Sequence, residues 1–179
     1  FTLYIMKIKT VINYCSNDNK FLIPCVEQAK IFSTEVVVVC YDHLFDGTPE
    51  NLDILKHASS NVHALGGKFI TLQWAGGKPT RYYHNMCRYV GYRDGVEKDY
   101  DWILFLDVDE IVEGDKFKEF LNLEGDLTPN GLFADSNFDL IKLANYWYFI
   151  NSDNRWNYNN EDVLEDSVVM VRYSRKDIL

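Results

Sequence analysis

Little in this sequence points to covalent or metal bracing. It has 4 cysteines, Cys15, Cys25, Cys40 and Cys87, and no two form a Cys-x-x-Cys pair. A zinc knuckle and a disulfide-stapled miniprotein are therefore not indicated. Three of the four lie in apolar or helical surroundings and read as small buried hydrophobes, reduced, in a reducing compartment, although the even count leaves disulfides formally open. Glycine (10) and proline (4) are too scarce for a collagen-like or low-complexity chain. No apolar run approaches the roughly 20 residues of a membrane-spanning helix, so no integral membrane segment is expected and the expected location is cytoplasmic. Positive charge is in deficit, with 18 Lys and Arg against 27 Asp and Glu and a formal net charge of -9. Such a surface repels phosphate backbones and excludes nucleic acid as a general partner. A phosphate-bearing small ligand would need local cations or a metal to offset that field.

What is present is ordinary for a globular domain: 179 residues, 47% hydrophobic and 25% charged. That length fits a single domain with a real core over residues 1–179. Aromatics make up 15%. Most belong to a core, while Tyr and Trp also offer flat faces for sugars and bases. The apolar start, Phe1 to Ile5, is too short for a signal peptide. Met6, followed by Lys7-Ile8-Lys9, reads as an initiator, and the tail Arg175 to Leu179 leaves room for further domains of a longer chain.

Ile8 to Tyr14 is a β-branched apolar run and predicts a buried strand. After the turn Ser16-Asn17-Asp18-Asn19, residues Phe21, Leu22, Cys25, Val26, Ala29 and Phe32 recur at helical spacing, with Pro24 near the first turn. Glu35 to Cys40 holds four consecutive valines, the mark of a strand covered on both faces. The turn Asp46 to Glu50 precedes a helix over Asn51 to Ser60, with Pro49 suited to its first position. Lys68 to Trp74 is a third strand, Arg81 to Arg93 a third helix, and Asp101 to Leu106 a fourth strand. This alternation predicts an α/β fold, a mostly parallel sheet with helices on both faces. Beyond Asp109 the pattern changes to a short helix, Asp115 to Leu123, and long strands over Phe138 to Ile150 and Ser167 to Tyr173. Between those strands, Asn151 to Asp162 reads as a polar loop.

The sharpest feature is Leu106-Asp107-Val108-Asp109-Glu110, directly after the fourth strand. In an open parallel sheet, ligands bind beyond the carboxyl ends of strands. Residues two apart on an extended segment face one side, so Asp107 and Asp109 are expected to point into that crevice together. Two hard oxygen ligands suit Mg²⁺ or Mn²⁺, above all when the ion also holds a diphosphate.

The order of these motifs resembles the GT-A fold glycosyltransferases, most closely the family 2 type. The resemblance rests on Val11-Ile12-Asn13-Tyr14, on Val36 to Cys40 leading to Asp42 and Asp46-Gly47-Thr48, on Thr80-Arg81-Tyr82 with Asn85, and on the strand ending in Asp107-Val108-Asp109. It is clear over about residues 8–112 and weaker beyond. It implies a Rossmann-like GT-A sheet with a nucleotide-sugar part over about 6–112 and an acceptor or catalytic part over about 113–179. It implies a hexosyltransferase-type enzyme that uses Mn²⁺ or Mg²⁺ and a nucleotide sugar, UDP-linked, with a glycan, lipid or protein acceptor. Residue by residue, Asp42 would contact the base and Arg81 the base and diphosphate. Asn13 and Tyr14 would help hold the uracil, and Asn85 would lie beside the donor. Asp107 would contact ribose and metal, and Asp109 the metal.

Inverting members take the acceptor proton with a carboxylate from a later acidic pair. Glu161-Asp162 and Glu165-Asp166 are available, and Asp166, then Glu165, is favoured because that pair directly precedes a strand. It follows the Asp-x-Asp sooner than is common in the family. Tyr146 to Phe149, with Trp156 and Tyr158, could wall the acceptor. Two other readings share parts of this pattern. A haloacid-dehalogenase-like phosphohydrolase also carries a strand followed by Asp-x-Asp, but near the start of its domain and with Thr where Ile111 stands here. A catalytically inactive nucleotide-sugar-binding module would keep the fold without turnover.

Overall fold

The β-branched runs become the inner strands of one sheet. The computed structural model describes residues 6–95, 98–124, 140–143 and 168–173. Its strands are β1 (Ile8–Asn13), β2 (Glu35–Tyr41), β3 (Lys68–Leu72), β4 (Trp102–Asp107), β5 (Leu140–Leu143) and β6 (Val168–Arg172). Its helices are α1 (Asn19–Phe32), α2 (Leu52–Ala64), α3 (Thr80–Arg93) and α4 (Gly114–Glu124). The strand order is β3-β2-β1-β4-β6-β5. The first four strands are parallel, and β6 runs antiparallel to both of its neighbours. This is the mostly parallel α/β sheet that the alternation predicts.

Side-chain alternation along the strands sorts the core into two layers. Ile8, Ile12, Val36, Val38, Leu104 and Leu106 pack with residues of α1, α2 and α4. Val11, Val37, Val39 and Ile103 pack on the other face with Tyr83 and Cys87 of α3. The four valines are fully buried because both faces of β2 are covered. All four cysteines are free thiols, and Cys25, Cys40 and Cys87 are buried. Among the described residues no helix is long and apolar enough to cross a membrane.

Several boundaries differ from the sequence reading, each for a local reason. β3 ends at Leu72, short of Trp74, because the Trp74 backbone N–H donates to the Asp42 carboxylate at 2.8 Å and leaves the ladder. The Asn51 side chain caps α2 by accepting from the N–H groups of Asp53 and Ile54. Pro49 therefore precedes the helix instead of opening it, and bridges to His43. α2 then runs on to Ala64, and Gly66, at φ 73°, turns the chain out of it. Pro24 is the sixth residue of α1, past its first turn, because the helix already starts at Asn19. Of the long strand expected over 138–150, Leu140–Leu143 is a strand and the remainder lies outside the described residues.

Lys9 breaks the apolar character of β1 from within, being fully buried. Its ammonium donates to the Asp94 carbonyl oxygen and stands 5.5 Å from the centre of the Tyr100 ring. Burial lowers its pKa, against the opposing pull of Glu35 and Asp94. This cation ties the carboxyl end of α3 to the amino-terminal half of β1.

α3 lies close on β1 because position 91 is glycine. A Cβ there would stand 2.3 Å from a Val11 methyl carbon. Gly91→Ala is expected to destabilise the fold by about 1–3 kcal/mol, read as a drop in thermal unfolding midpoint of about 2–4 °C per kcal/mol. Adding Val11→Ala should relieve the collision, so the double variant should be more stable than the two single effects summed. Strict additivity would mean that the two residues do not meet.

Candidate active site

From β1 the sheet grows through β2 and β3 on one side and through β4 on the other. The chain thus reverses its direction across the sheet between β1 and β4. That switch opens a crevice beyond their carboxyl ends. Asn13 and Asp107 are the last residues of the two strands and are register partners. The Asn13 side-chain amide donates to Asp107 Oδ1 at 3.3 Å.

α3 supplies two more partners to the same oxygen. Its buried face carries Tyr83, Cys87 and Gly91, a spacing of four. The adjoining stripe carries Arg81, His84, Asn85 and Arg88 at helical spacing. His84 Nε2 lies 3.0 Å from Asp107 Oδ1, and an Arg88 guanidinium nitrogen lies 3.3 Å from it. Arg81 and Asn85 are exposed and do not reach the carboxylate. Burial opposes ionisation of Asp107, but the His84 hydrogen bond and the Arg88 charge outweigh it and hold the carboxyl below its ordinary 3.8. Arg88 Nε is buried without a hydrogen-bond partner among the described residues, as is Asn13 Oδ1.

Asp109 is presented differently from the expectation. The strand stops at Asp107, and residues 107–110 form a tight turn. Val108 N–H donates to the Asn13 carbonyl at 3.0 Å, Glu110 N–H to the Asp107 carbonyl at 2.9 Å, and Asp107 N–H to the Glu110 carboxylate at 2.7 Å. Val108 is buried and Asp109 is exposed, so the turn, and not strand alternation, sets the direction of Asp109. Desolvation of its carboxyl pushes Asp109 upward, and the negative charges of Asp18 and Asp107 add to the push. Among the described residues no group of three or more metal-type ligands is found.

The loops after β1 and β2 are held together beside this rim. Asp42 follows β2; its Oδ1 accepts from His43 Nδ1 and from Trp74 N–H, each at 2.8 Å. Desolvation works against its ionisation, but these donors win and lower its pKa. Tyr14 is buried, with its hydroxyl donating to Asn19 at 2.8 Å. Its ring therefore belongs to the core, and its backbone belongs to the rim. Glu50 is also buried; its carboxylate accepts from Ser16 N–H at 2.9 Å while its own N–H donates to the Asp42 carbonyl. One residue thus fastens both loops.

The structure brings together Asn13, Asp107 and the turn bearing Asp109, with Asp42 one strand away. Asp166, Glu165 and the aromatic group at 146–158 lie outside the described residues. His84, Arg88, Glu50 and Glu110 escaped the sequence reading. The stripe Arg81-x-x-His84-x-x-x-Arg88 was visible as a helical period, but its partner, twenty residues on, was not.

No family model and no curated protein matches the chain. Solved structures do. Glucosyl-3-phosphoglycerate synthase from Mycobacterium tuberculosis, in complex with Mn²⁺, uridine diphosphate and phosphoglyceric acid, is similar at 14% identity and TM-score 0.42, over 76% of this chain and 42% of that one. The glycosyltransferase GlyE of Streptococcus pneumoniae TIGR4 is similar at 14% identity and TM-score 0.43, over 96% of this chain and 35% of that one. The chain spans less than half the length of either structure.

Arg88→Met should expose how the α3 cations serve Asp107. A carboxyl with a depressed pKa stabilises the fold above its ordinary value and loses that contribution as pH falls through the depressed one. Wild type should therefore exceed the variant by ~1 kcal/mol near pH 7, a figure already discounted for a pair about a third exposed. In urea unfolding the gap should close as pH falls below the ordinary carboxyl value of 3.8 and through the depressed one. A gap that persists undiminished in acid would remove the ion pair as its cause.

Proposed function

We propose that the chain is the nucleotide-sugar-handling part of a GT-A-type, family 2-like glycosyltransferase. It would move a hexosyl group from a UDP donor to a hydroxyl of a glycan, lipid or protein acceptor, with inversion. One observation carries this reading: an ionised Asp107, fixed at the switch point between β1 and β4, with Asp109 in the turn just beyond.

The residues fit a divalent cation. Asp107 Oδ1 is engaged by three donors, while Asp109, crowded by like charge, gains from a nearby cation. Two carboxylates leave the remaining positions to diphosphate oxygens and water, the usual manner of Mg²⁺ and Mn²⁺. When bound, the ion would offset the negative charge that grows on the leaving diphosphate.

The chain's own residues have distinct tasks in this reading. Asp107 and Asp109 hold the ion, and Asp107 also meets the ribose. Arg88, paired to Asp107, and Arg81 at the start of α3 offer charge to the diphosphate in a chain of net charge -9. Asn85 stands beside them. Asn13, the backbone at Tyr14 and the Asp42 loop border the base. Asp166, or Glu165, takes the proton from the acceptor hydroxyl as it attacks the anomeric carbon. The phosphohydrolase alternative needs Asp107 as nucleophile near the start of its domain, whereas about a hundred residues precede Asp107 here and Ile111 stands in place of the usual Thr.

UDP with Mn²⁺ should raise the unfolding midpoint by roughly 5–10 °C at a hundredfold excess over Kd. Asp109→Ala should remove the part of the shift that needs the metal. The reading is lost if no nucleoside diphosphate, with or without Mn²⁺, shifts the wild type. Asp166→Asn should keep donor binding and lose transfer; unimpaired transfer would dismiss Asp166 as the base.

A further inference from the structure

The turn after β4 is held from two sides, and the two sides are not alike. Even-numbered residues along β4 turn their backbone N–H groups toward β1. Trp102 N–H donates to the Lys7 carbonyl at 3.3 Å, and just past the strand Val108 N–H donates to the Asn13 carbonyl at 3.0 Å. Odd-numbered residues face β6, where the Asp101 carbonyl accepts from Tyr173 N–H at 2.9 Å. The last register pair on that side is Phe105 with Val169. The Asp107 N–H therefore points to the β6 side, beyond the paired part of the strand. A carboxylate oxygen of Glu110 meets it there at 2.7 Å and takes the place of a strand partner.

Glu110 engages Asp107 twice. Its own N–H donates to the Asp107 carbonyl at 2.9 Å, so a backbone bond and a side-chain bond close the same four residues. A capping box has the same reciprocity, with a carboxylate three residues on returning to an unpaired N–H. A carboxylate on a backbone N–H is a charge-assisted bond, stronger than one between neutral groups. Val108 secures the middle of the turn, its side chain buried in the core layer that holds Cys25 and Val26 of α1. The Cys25 thiol donates to the Glu110 carbonyl at 3.8 Å. With these points fixed, Asp109 is the exposed residue of the turn. Its direction relative to Asp107 is set by these bonds, since β4 has already ended.

We infer that Glu110 is a positioning residue for the cation proposed above: by holding the Asp107 N–H it fixes the turn from which Asp107 and Asp109 reach one ion. This rests on the donor reading. Two carboxylates bind an ion tightly when little ordering is left to be done on binding, and groups one layer behind the ligands account for about 10–100-fold in metal affinity. The role differs from ligation. A ligand needs its charge at the ion, whereas a brace needs only an acceptor at the amide. Glutamine supplies the acceptor without the charge, and alanine supplies neither.

The test compares wild type, Glu110→Gln and Glu110→Ala by two readouts. Free Mn²⁺ is followed by electron paramagnetic resonance as the ion is titrated in the presence of UDP. Exchange of the Asp107 amide proton is followed by NMR without ligand. Glu110→Ala should weaken Mn²⁺ binding by about tenfold or more, and Glu110→Gln by no more than about threefold. The Asp107 amide should exchange about tenfold faster in Glu110→Ala, with Glu110→Gln close to wild type. Amides of β1 and β2 should keep their rates, which a general loss of stability would not allow. Three results overturn the inference while Mn²⁺ binding by wild type upholds the donor reading: unchanged Mn²⁺ affinity in Glu110→Ala, unchanged exchange at Asp107, or a loss of affinity in Glu110→Gln equal to that in Glu110→Ala. Wild type that takes up no Mn²⁺ with UDP defeats both.

Discussion

The carboxylate of Asp107 joins three elements that otherwise meet through the apolar core. Asn13 brings β1 to it, His84 and Arg88 bring α3, and its own backbone closes the turn after β4. Everything proposed for the site depends on that oxygen staying ionised and in place. A carboxylate withdrawn from water tends to protonate. Here three donors hold it charged, so the rim of the sheet keeps a fixed negative point where a cation can be received.

The same contacts resolve a difficulty set by composition. A chain of net charge -9 should repel a diphosphate. The cations that matter are local: Arg81 and Arg88 share one stripe of α3 with His84, and α3 is drawn down onto β1 by the close approach at Gly91. The packing of that helix and the electrostatics of the site are therefore one problem. A collision at Val11 would move the cations as well as the core.

The sheet was readable in the sequence because β-branched runs such as Val36 to Val39 have few alternatives to a doubly covered strand. The Asp-x-Asp was readable for the same reason, since an unbroken apolar strand announces where its end must lie. What escaped was set by contacts distant in sequence. Nothing at position 84 or 88 announces Asp107. Nothing at Glu50 announces that its carboxylate will turn inward to Ser16 N–H. The extent of β3 was misjudged because Trp74 gives its N–H to a side chain on another loop. The relation of Asp107 to Asp109 was misjudged because a turn, braced by Glu110, replaces the last step of the strand.

The central claim is that Asp107 and Asp109 together receive a divalent cation carrying a diphosphate. Anomalous diffraction from crystals grown with Mn²⁺ and UDP measures this directly. The account predicts one manganese peak within about 2.5 Å of carboxylate oxygens from both residues and of the diphosphate. Bound UDP with no manganese at that place, or with manganese held by other side chains, would contradict it.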